Sequence, residues 1–144
     1  MSLDGIYDPE NIFAKILRGE IPCAKVYEDD HVLSFMDAFP QSSGHTLVIP
    51  KAPSRNLFDT QPEELSNLIQ KTQTIATAVR SALSPNGIVI TQFNGAPAGQ
   101  TVFHLHFHII PRYTGKNIGQ HASGQMADFD ELKAQAALIA AAIK

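Results

Sequence analysis

The sequence predicts an α+β domain with a largely antiparallel sheet of five strands, a long helix between strands three and four, and a C-terminal helix. Apolar residues alternate between helical and strand spacing in the order helix, three strands, helix, two strands, helix, and strands adjacent in sequence favour antiparallel pairing. The 144 residues, 44% hydrophobic and 17% charged, suffice for one core. We find no repeat or linker, so we expect a single domain over residues 1–144.

The helices are predicted from capping residues and apolar periodicity. Each begins at a residue typical of an N-cap: Asp8, Thr60 and Asp128. Pro9 would occupy the first position of the first helix, and Gly19 would end it. Glu63 lies three residues after Thr60, which is the capping-box spacing, and the apolar residues of this long helix continue to Leu83.

Runs of extended, apolar sequence predict the five strands: residues 23–27, 32–36, 45–49, 88–93 and 102–110. The turn at residues 28–30 joins the first two strands as a hairpin. Pro50 and Pro111 are expected to close the third and fifth strands, because proline cannot donate a ladder hydrogen bond. Residues 114–125 are expected to form a loop.

Composition excludes several classes of protein. The net charge is −3 and the basic residues are scattered, which argues against nucleic-acid binding. Cys23 is the only cysteine, so the chain forms no intrachain disulfide and no four-cysteine metal site. The N-terminus lacks the features of a secretory signal, and the apolar stretch 134–143 is too short to span a membrane. We therefore expect a cytoplasmic protein with no membrane partner.

Three histidines at alternate positions carry the chemistry: His104, His106 and His108. On a strand, side chains two residues apart share one face and lie roughly 6.5–7 Å apart at Cα, so the three imidazoles could meet one ligand. Leu105, Phe107 and Ile109 would share the opposite, apolar face.

Three functions remain open for such a cluster. Structural packing would be wasteful for three histidines in strict alternation. Metal binding is a serious alternative, because neutral imidazole is a good ligand for zinc, copper or iron, but no carboxylate or cysteine is obvious nearby. Catalysis at phosphorus is favoured, since an imidazole can act as a nucleophile and split one difficult displacement into two steps.

The motif of three histidines followed by two apolar residues resembles that of the histidine-triad (HIT) proteins, particularly their nucleotide-binding Hint-like branch. Further similar segments are residues 12–22, 27–30, 35–37, 44–51 and 99–103. The resemblance covers residues 10–113, leaving 114–144 as a C-terminal extension that we expect to reach the active site or a partner subunit. It implies the HIT-like fold and a nucleoside phosphoramidase that cleaves purine nucleotide substrates.

The resemblance also implies roles for individual residues. His106 would attack the α-phosphorus and form a nucleotidyl-histidine intermediate, while His104, His108 and a fourth histidine, His45, would bind phosphate oxygens or orient the ring. Asp37 would receive the ribose hydroxyls. The remaining nucleotide-binding residues implied are Asn94, Gln100 and Thr101 in a glycine-rich loop, and Phe13, Ile16 and Phe35 beside the base.

Several expectations concern partners and cofactors. Some relatives have a structural zinc site with two cysteines at the start of the first helix. Here Asn11 and Ala14 occupy those positions, so we expect neither metal nor cofactor. The resemblance also implies a homodimer formed by the long helix and an edge strand. Dinucleoside polyphosphate hydrolysis and a regulatory nucleotide-binding role remain alternative functions.

Overall fold

The fold is described by a computed structural model covering residues 2–119 and 125–144. In chain order its elements are α1 (Ile12–Leu17), β1 (Lys25–Glu28), β2 (Val32–Met36), β3 (Thr46–Pro50), α2 (Pro62–Leu83), β4 (Gly87–Thr91), a 3-10 turn (Ala96–Ala98), β5 (Phe107–Arg112) and α3 (Phe129–Ala141). The strands form one antiparallel sheet in the order β1-β2-β3-β5-β4. The predicted α+β fold is confirmed, including the long helix between strands three and four. Part of the loop expected at 114–125 lies outside the described residues.

The sheet separates two apolar clusters. The larger contains residues of α2 and α3, such as Ile75 and Ile139, together with Val48 and Ile109 of the central strands. The smaller surrounds Phe13 of α1 and includes alternate residues of the central strands: Leu33, Phe35, Leu47 and Ile49. Since strand side chains alternate between faces, β3 contributes Leu47 and Ile49 to one cluster and Val48 to the other. α1 and the long helices therefore cover opposite faces.

The first helix begins later than the sequence predicted. Asn11, not Asp8, is its N-cap, and the Asn11 side chain accepts a hydrogen bond from the Ala14 N–H at 2.9 Å. Asp8 instead accepts from the Glu10 N–H within the preceding turn. Both residue types can cap a helix, so local preference did not distinguish them.

The capping box predicted at Thr60 is also wrong. The residue before α2 is Gln61, whose side chain makes no capping bond, and Pro62 is the first helical residue. Proline suits this position because its missing N–H would have no intrahelical acceptor there. The prediction at Asp128 is confirmed: its carboxylate accepts from the Glu131 N–H at the start of α3.

The fifth strand is shifted relative to its prediction. It begins at Phe107 rather than Val102, so His104 and His106 precede it, and it continues through Pro111 to Arg112. The pairing of β3 with β5 ends at Ile109, whereas β4 pairs with β5 as far as Arg112. Pro111 thus lies where β5 has a neighbouring strand on one side only. Proline is tolerated there because the N–H that it lacks would have no ladder partner on the open side.

Among the helices of the described residues, none has the length and apolar character needed to cross a lipid bilayer.

Candidate active site

His106 has a fixed ring orientation. Its Nδ1 lies 2.6 Å from the backbone carbonyl oxygen of His104, and because a carbonyl only accepts, Nδ1 carries the proton and donates. The lone pair of the neutral ring is therefore on Nε2. His106 is 5% exposed, and its ring lies nearly perpendicular to the Phe13 ring at a centroid distance of 4.9 Å. This is the tautomer that a nucleophilic Nε2 requires.

His104 is held at both ring nitrogens. Nε2 donates to the carbonyl oxygen of Pro50 at 2.7 Å, and Nδ1 lies 2.6 Å from the hydroxyl of Tyr7. The side chain is fully buried, and burial lowers its pKa, although the bond to Pro50 works in the opposite direction. Both ring nitrogens of His104 are thus engaged by other groups of the protein.

His45 and His108 form a buried pair joined to Asp37. The backbone N–H of Gln41 donates to Nδ1 of His45 at 3.0 Å, so His45 carries its proton on Nε2. That Nε2 lies 2.9 Å from Nδ1 of His108 and 3.4 Å from Oδ2 of Asp37. β3 begins at the residue after His45 and pairs with β5, which brings together histidines 63 positions apart.

Asp37 is the carboxyl member of this group. Its side chain is 18% exposed, and burial raises the pKa of the carboxyl to about 6, opposed by the hydrogen bond that Oδ1 accepts from the Phe39 N–H. The carboxyl therefore changes protonation close to neutral pH.

The same three residues have the spacing of a metal site, since one ligand atom from each lies within 4.8 Å of the others. The His45 tautomer argues against that use. A neutral imidazole ligates a metal through its unprotonated nitrogen, and in His45 that nitrogen is Nδ1, which faces the Gln41 N–H. The arrangement suits a chain of hydrogen bonds better than a cation.

The polar residues of the glycine-rich loop differ in their exposure and in their hydrogen-bond partners. Gln100 is 2% exposed: its carbonyl accepts from the Gly95 N–H, and its amide donates to the backbone carbonyls of Arg55 and Val102. The Asn94 carbonyl accepts from the Leu57 N–H and from the Gln92 amide.

Thr101 is exposed beside this loop. The amides of Gln100 and Asn94 thus brace the loop, and among these three predicted contacts only Thr101 presents an exposed side chain.

The apolar residues predicted beside the base form a cluster that packs against the histidine rings. Phe13 is 7% exposed and contacts the rings of His106, His104 and Phe35, and Phe35 is itself buried. Ile16 is partly buried at the border of this cluster. Of this set, Ile16 offers the most accessible apolar surface.

Sequence reasoning missed the N-terminal arm, residues 2–7. Besides the Tyr7 contact, Ser2 Oγ accepts from the Ala96 N–H, and the carbonyl of Leu3 accepts from Asn56. The arm has no apolar periodicity and precedes every segment that resembles the family. No sequence signal therefore marked it.

Comparison with known proteins agrees with this geometry. The family model described as "HIT domain" matches residues 18–115. A crystal structure of a Hit-like protein from Bartonella henselae has a TM-score of 0.91 and 49% identity, covering 96% of this chain and 100% of that one. The chain belongs to the HIT family.

Relatives within the HIT family vary in how far they match. The Bacillus subtilis protein named "Protein hit" is 48% identical over 108 residues, which is 75% of this chain and 74% of that protein. An adenylylsulfatase of Arabidopsis thaliana is 44% identical over 101 residues, 70% of this chain and 51% of that protein. Members of the HIT family are nucleotide hydrolases or transferases.

Proposed function

We propose that this HIT protein is a hydrolase that cleaves nucleoside 5′-phosphoramidates at the α-phosphorus. The observation that carries the proposal is the bond from His106 Nδ1 to the His104 carbonyl, which leaves the nucleophilic lone pair on Nε2. This hydrogen bond holds the ring in one orientation, and such positioning favours attack on a bound substrate.

The reaction would proceed in two displacements. His106 Nε2 forms a bond to the α-phosphorus, the P–N bond of the substrate breaks, and the amine leaves with the bonding electrons and takes up a proton from solvent, which the attacking water returns in the second step. Water then attacks phosphorus, releases the nucleoside monophosphate and regenerates the imidazole. Histidines and backbone dipoles can stabilise charge at phosphorus without a metal.

The other predicted residues would each contact a different part of the nucleotide. The ring centroid of His108 is 4.9 Å from that of His106, so His108 is suited to bind a phosphate oxygen. His45 would hold the His108 ring through the contact between their ring nitrogens. Asp37 would receive the ribose hydroxyls, Ile16 would contact the base, and Thr101 would lie at the leaving group.

The decisive experiment is hydrolysis of adenosine 5′-phosphoramidate in the presence of a chelator, with His106→Asn as the test variant. The variant should bind AMP like the wild type but lose turnover. His31→Asn is the matched control, because it makes the same substitution at a histidine whose side chain is exposed. Turnover retained in His106→Asn would refute His106 as the nucleophile. Loss of wild-type turnover when the chelator is added would support a metal-dependent enzyme.

The leaving group is a separate question. The 44% identity to an adenylylsulfatase favours adenylyl sulfate as a second candidate substrate, because it also joins AMP to a leaving group at the α-phosphorus. A panel of phosphoramidate, adenylyl sulfate and dinucleoside polyphosphate, compared by kcat/KM, would rank them. AMP binding with negligible turnover on the whole panel would instead support a regulatory nucleotide-binding role.

The structure also supports the expected homodimer. β4 is an edge strand, and apolar residues on it and on α2 are exposed: Ile90 at 44%, Val89 at 37% and Ile69 at 44%. Exposed apolar surface beside an unpaired strand edge is typical of an interface. The mass of the wild type in solution should be that of a dimer, and Ile69→Glu should yield monomers; a monomeric wild type would refute this interface.

A further inference from the structure

The N-terminal arm, residues 2–7, is anchored by hydrogen bonds rather than by apolar burial. Ile6 is 92% exposed and Leu3 is 49% exposed, so neither contributes a buried anchor. The Ser2 carbonyl accepts from the Arg55 guanidinium at 3.1 Å, and the Leu3 carbonyl accepts from the Asn56 amide at 2.8 Å. These bonds fix the arm against the protein as far as Tyr7, whose side chain reaches the buried His104 ring.

Tyr7 completes the polar environment of His104. Because Nε2 of His104 donates to the Pro50 carbonyl, Nδ1 of the neutral ring is an acceptor, and the Tyr7 hydroxyl donates to it at 2.6 Å. The rings also meet edge to face, with centroids 5.6 Å apart. His104 is fully buried, so loss of the hydroxyl would leave Nδ1 without this donor where water is excluded.

His104 connects Tyr7 to the proposed nucleophile. The same residue that receives the Tyr7 hydroxyl at its ring offers its backbone carbonyl to Nδ1 of His106, at 2.6 Å. This stretch precedes β5, so no sheet ladder holds it; its position depends on the backbone bond from the Leu105 N–H to the Ser54 carbonyl and on the contacts of the His104 ring. Displacement of the His104 ring would move the carbonyl that orients His106.

We propose that Tyr7 is a positioning residue that acts through His104 to hold the His106 ring for attack. The inference rests on the proposed function of His106, and it adds to the site a residue that lies before the matched HIT domain. Its hydroxyl bonds to the His104 ring, so its effect on the reaction passes through that residue. It sets kcat rather than substrate affinity.

Tyr7→Phe is the test variant, since it removes only the hydroxyl and keeps the ring contact. Its kcat should fall at least about tenfold because a small displacement of a reacting group carries a large rate penalty, while KM and the Kd for AMP stay unchanged. Tyr27→Phe is the matched control: it also removes a phenol bond, to Asp29, but at β1. Unchanged kcat in Tyr7→Phe, or an equal loss in Tyr27→Phe, would overturn the proposal.

A double-mutant cycle separates action through His104 from an independent effect. If Tyr7 acts through His104, adding Tyr7→Phe to His104→Gln should cause little further loss of kcat. A further tenfold loss in the double variant would mean that Tyr7 acts by another route, and the proposal would be wrong.

Nitrogen-15 NMR of the imidazoles gives a readout that does not need turnover. In Tyr7→Phe the Nδ1 proton of His106 should exchange with solvent faster than in the wild type, whereas Tyr27→Phe should leave it unchanged. Equal exchange in wild type and Tyr7→Phe would overturn the proposal. If the wild type hydrolyses none of the substrates, the proposed function fails, and this measurement still decides whether Tyr7 positions His106.

Discussion

The buried carboxyl of Asp37 should make the stability of the fold fall as pH rises. Burial raises its pKa from 3.8 to about 6, so the folded state holds this proton more tightly than the unfolded chain does. The resulting stabilisation is complete below pH 3.8 and is lost as pH rises through 6. The difference between these pKa values corresponds to about 3 kcal/mol in total, of which about 2 kcal/mol is lost between pH 4 and pH 7.

Asp37→Asn tests this because asparagine carries no titrating proton. The free energy of unfolding should be measured by urea denaturation between pH 4 and pH 7. Unfolding should be monitored by far-UV circular dichroism because the chain has no tryptophan. The wild type should lose about 2 kcal/mol relative to Asp37→Asn across this range.

The control is Asp130→Asn, which changes an exposed residue in the first turn of α3 and should keep the wild-type slope. Identical slopes for wild type and Asp37→Asn would refute the reasoning. An opposite slope would mean that His45 is protonated and pairs with the carboxylate.

Three further changes test parts of the fold by urea denaturation. Gln100→Ala should lower the free energy of unfolding by about 2–4 kcal/mol because one buried and two partly buried backbone groups lose their partner, whereas Gln135→Ala should change it by less than about 0.5 kcal/mol. Equal effects would show that the Gln100 bonds are dispensable. Asn11→Ala should cost about 1 kcal/mol and Asp8→Ala less, and the reverse order would restore Asp8 as the cap. Leu105→Ala should cost about 2–5 kcal/mol because the side chain is fully buried, and a smaller cost would mean that the core closes around it.

The order of elements was predictable because it depends on local periodicity, but the start of β5 was not. Alternation of polar and apolar residues continues back through Leu105 and His104, as in a strand. In the structure the Leu105 N–H donates to the Ser54 carbonyl in a loop, not to a sheet neighbour. A pattern within one segment cannot show which distant backbone group satisfies its hydrogen bonds.

The candidate site was only partly predictable for the same reason. The alternating histidines drew attention to His106 and His108, and their rings do lie side by side. His45 was assigned to the site by resemblance alone, since nothing in its own neighbourhood in the sequence distinguishes it. Tyr7 was not found, because its hydrogen-bonding partner lies 97 positions away and no pattern in the arm points to it.

Segments on both sides of the matched HIT domain, residues 18–115, bond to loops near the histidines. The N-terminal arm holds Asn56 and Ala96, while Gly119 exchanges backbone and side-chain bonds with Gln41, whose own N–H donates to His45. Substitutions in these two segments can therefore shift the loops beside the histidines without replacing a histidine. Recombinant tags fused close to Ser2 should therefore be removed before rates are compared.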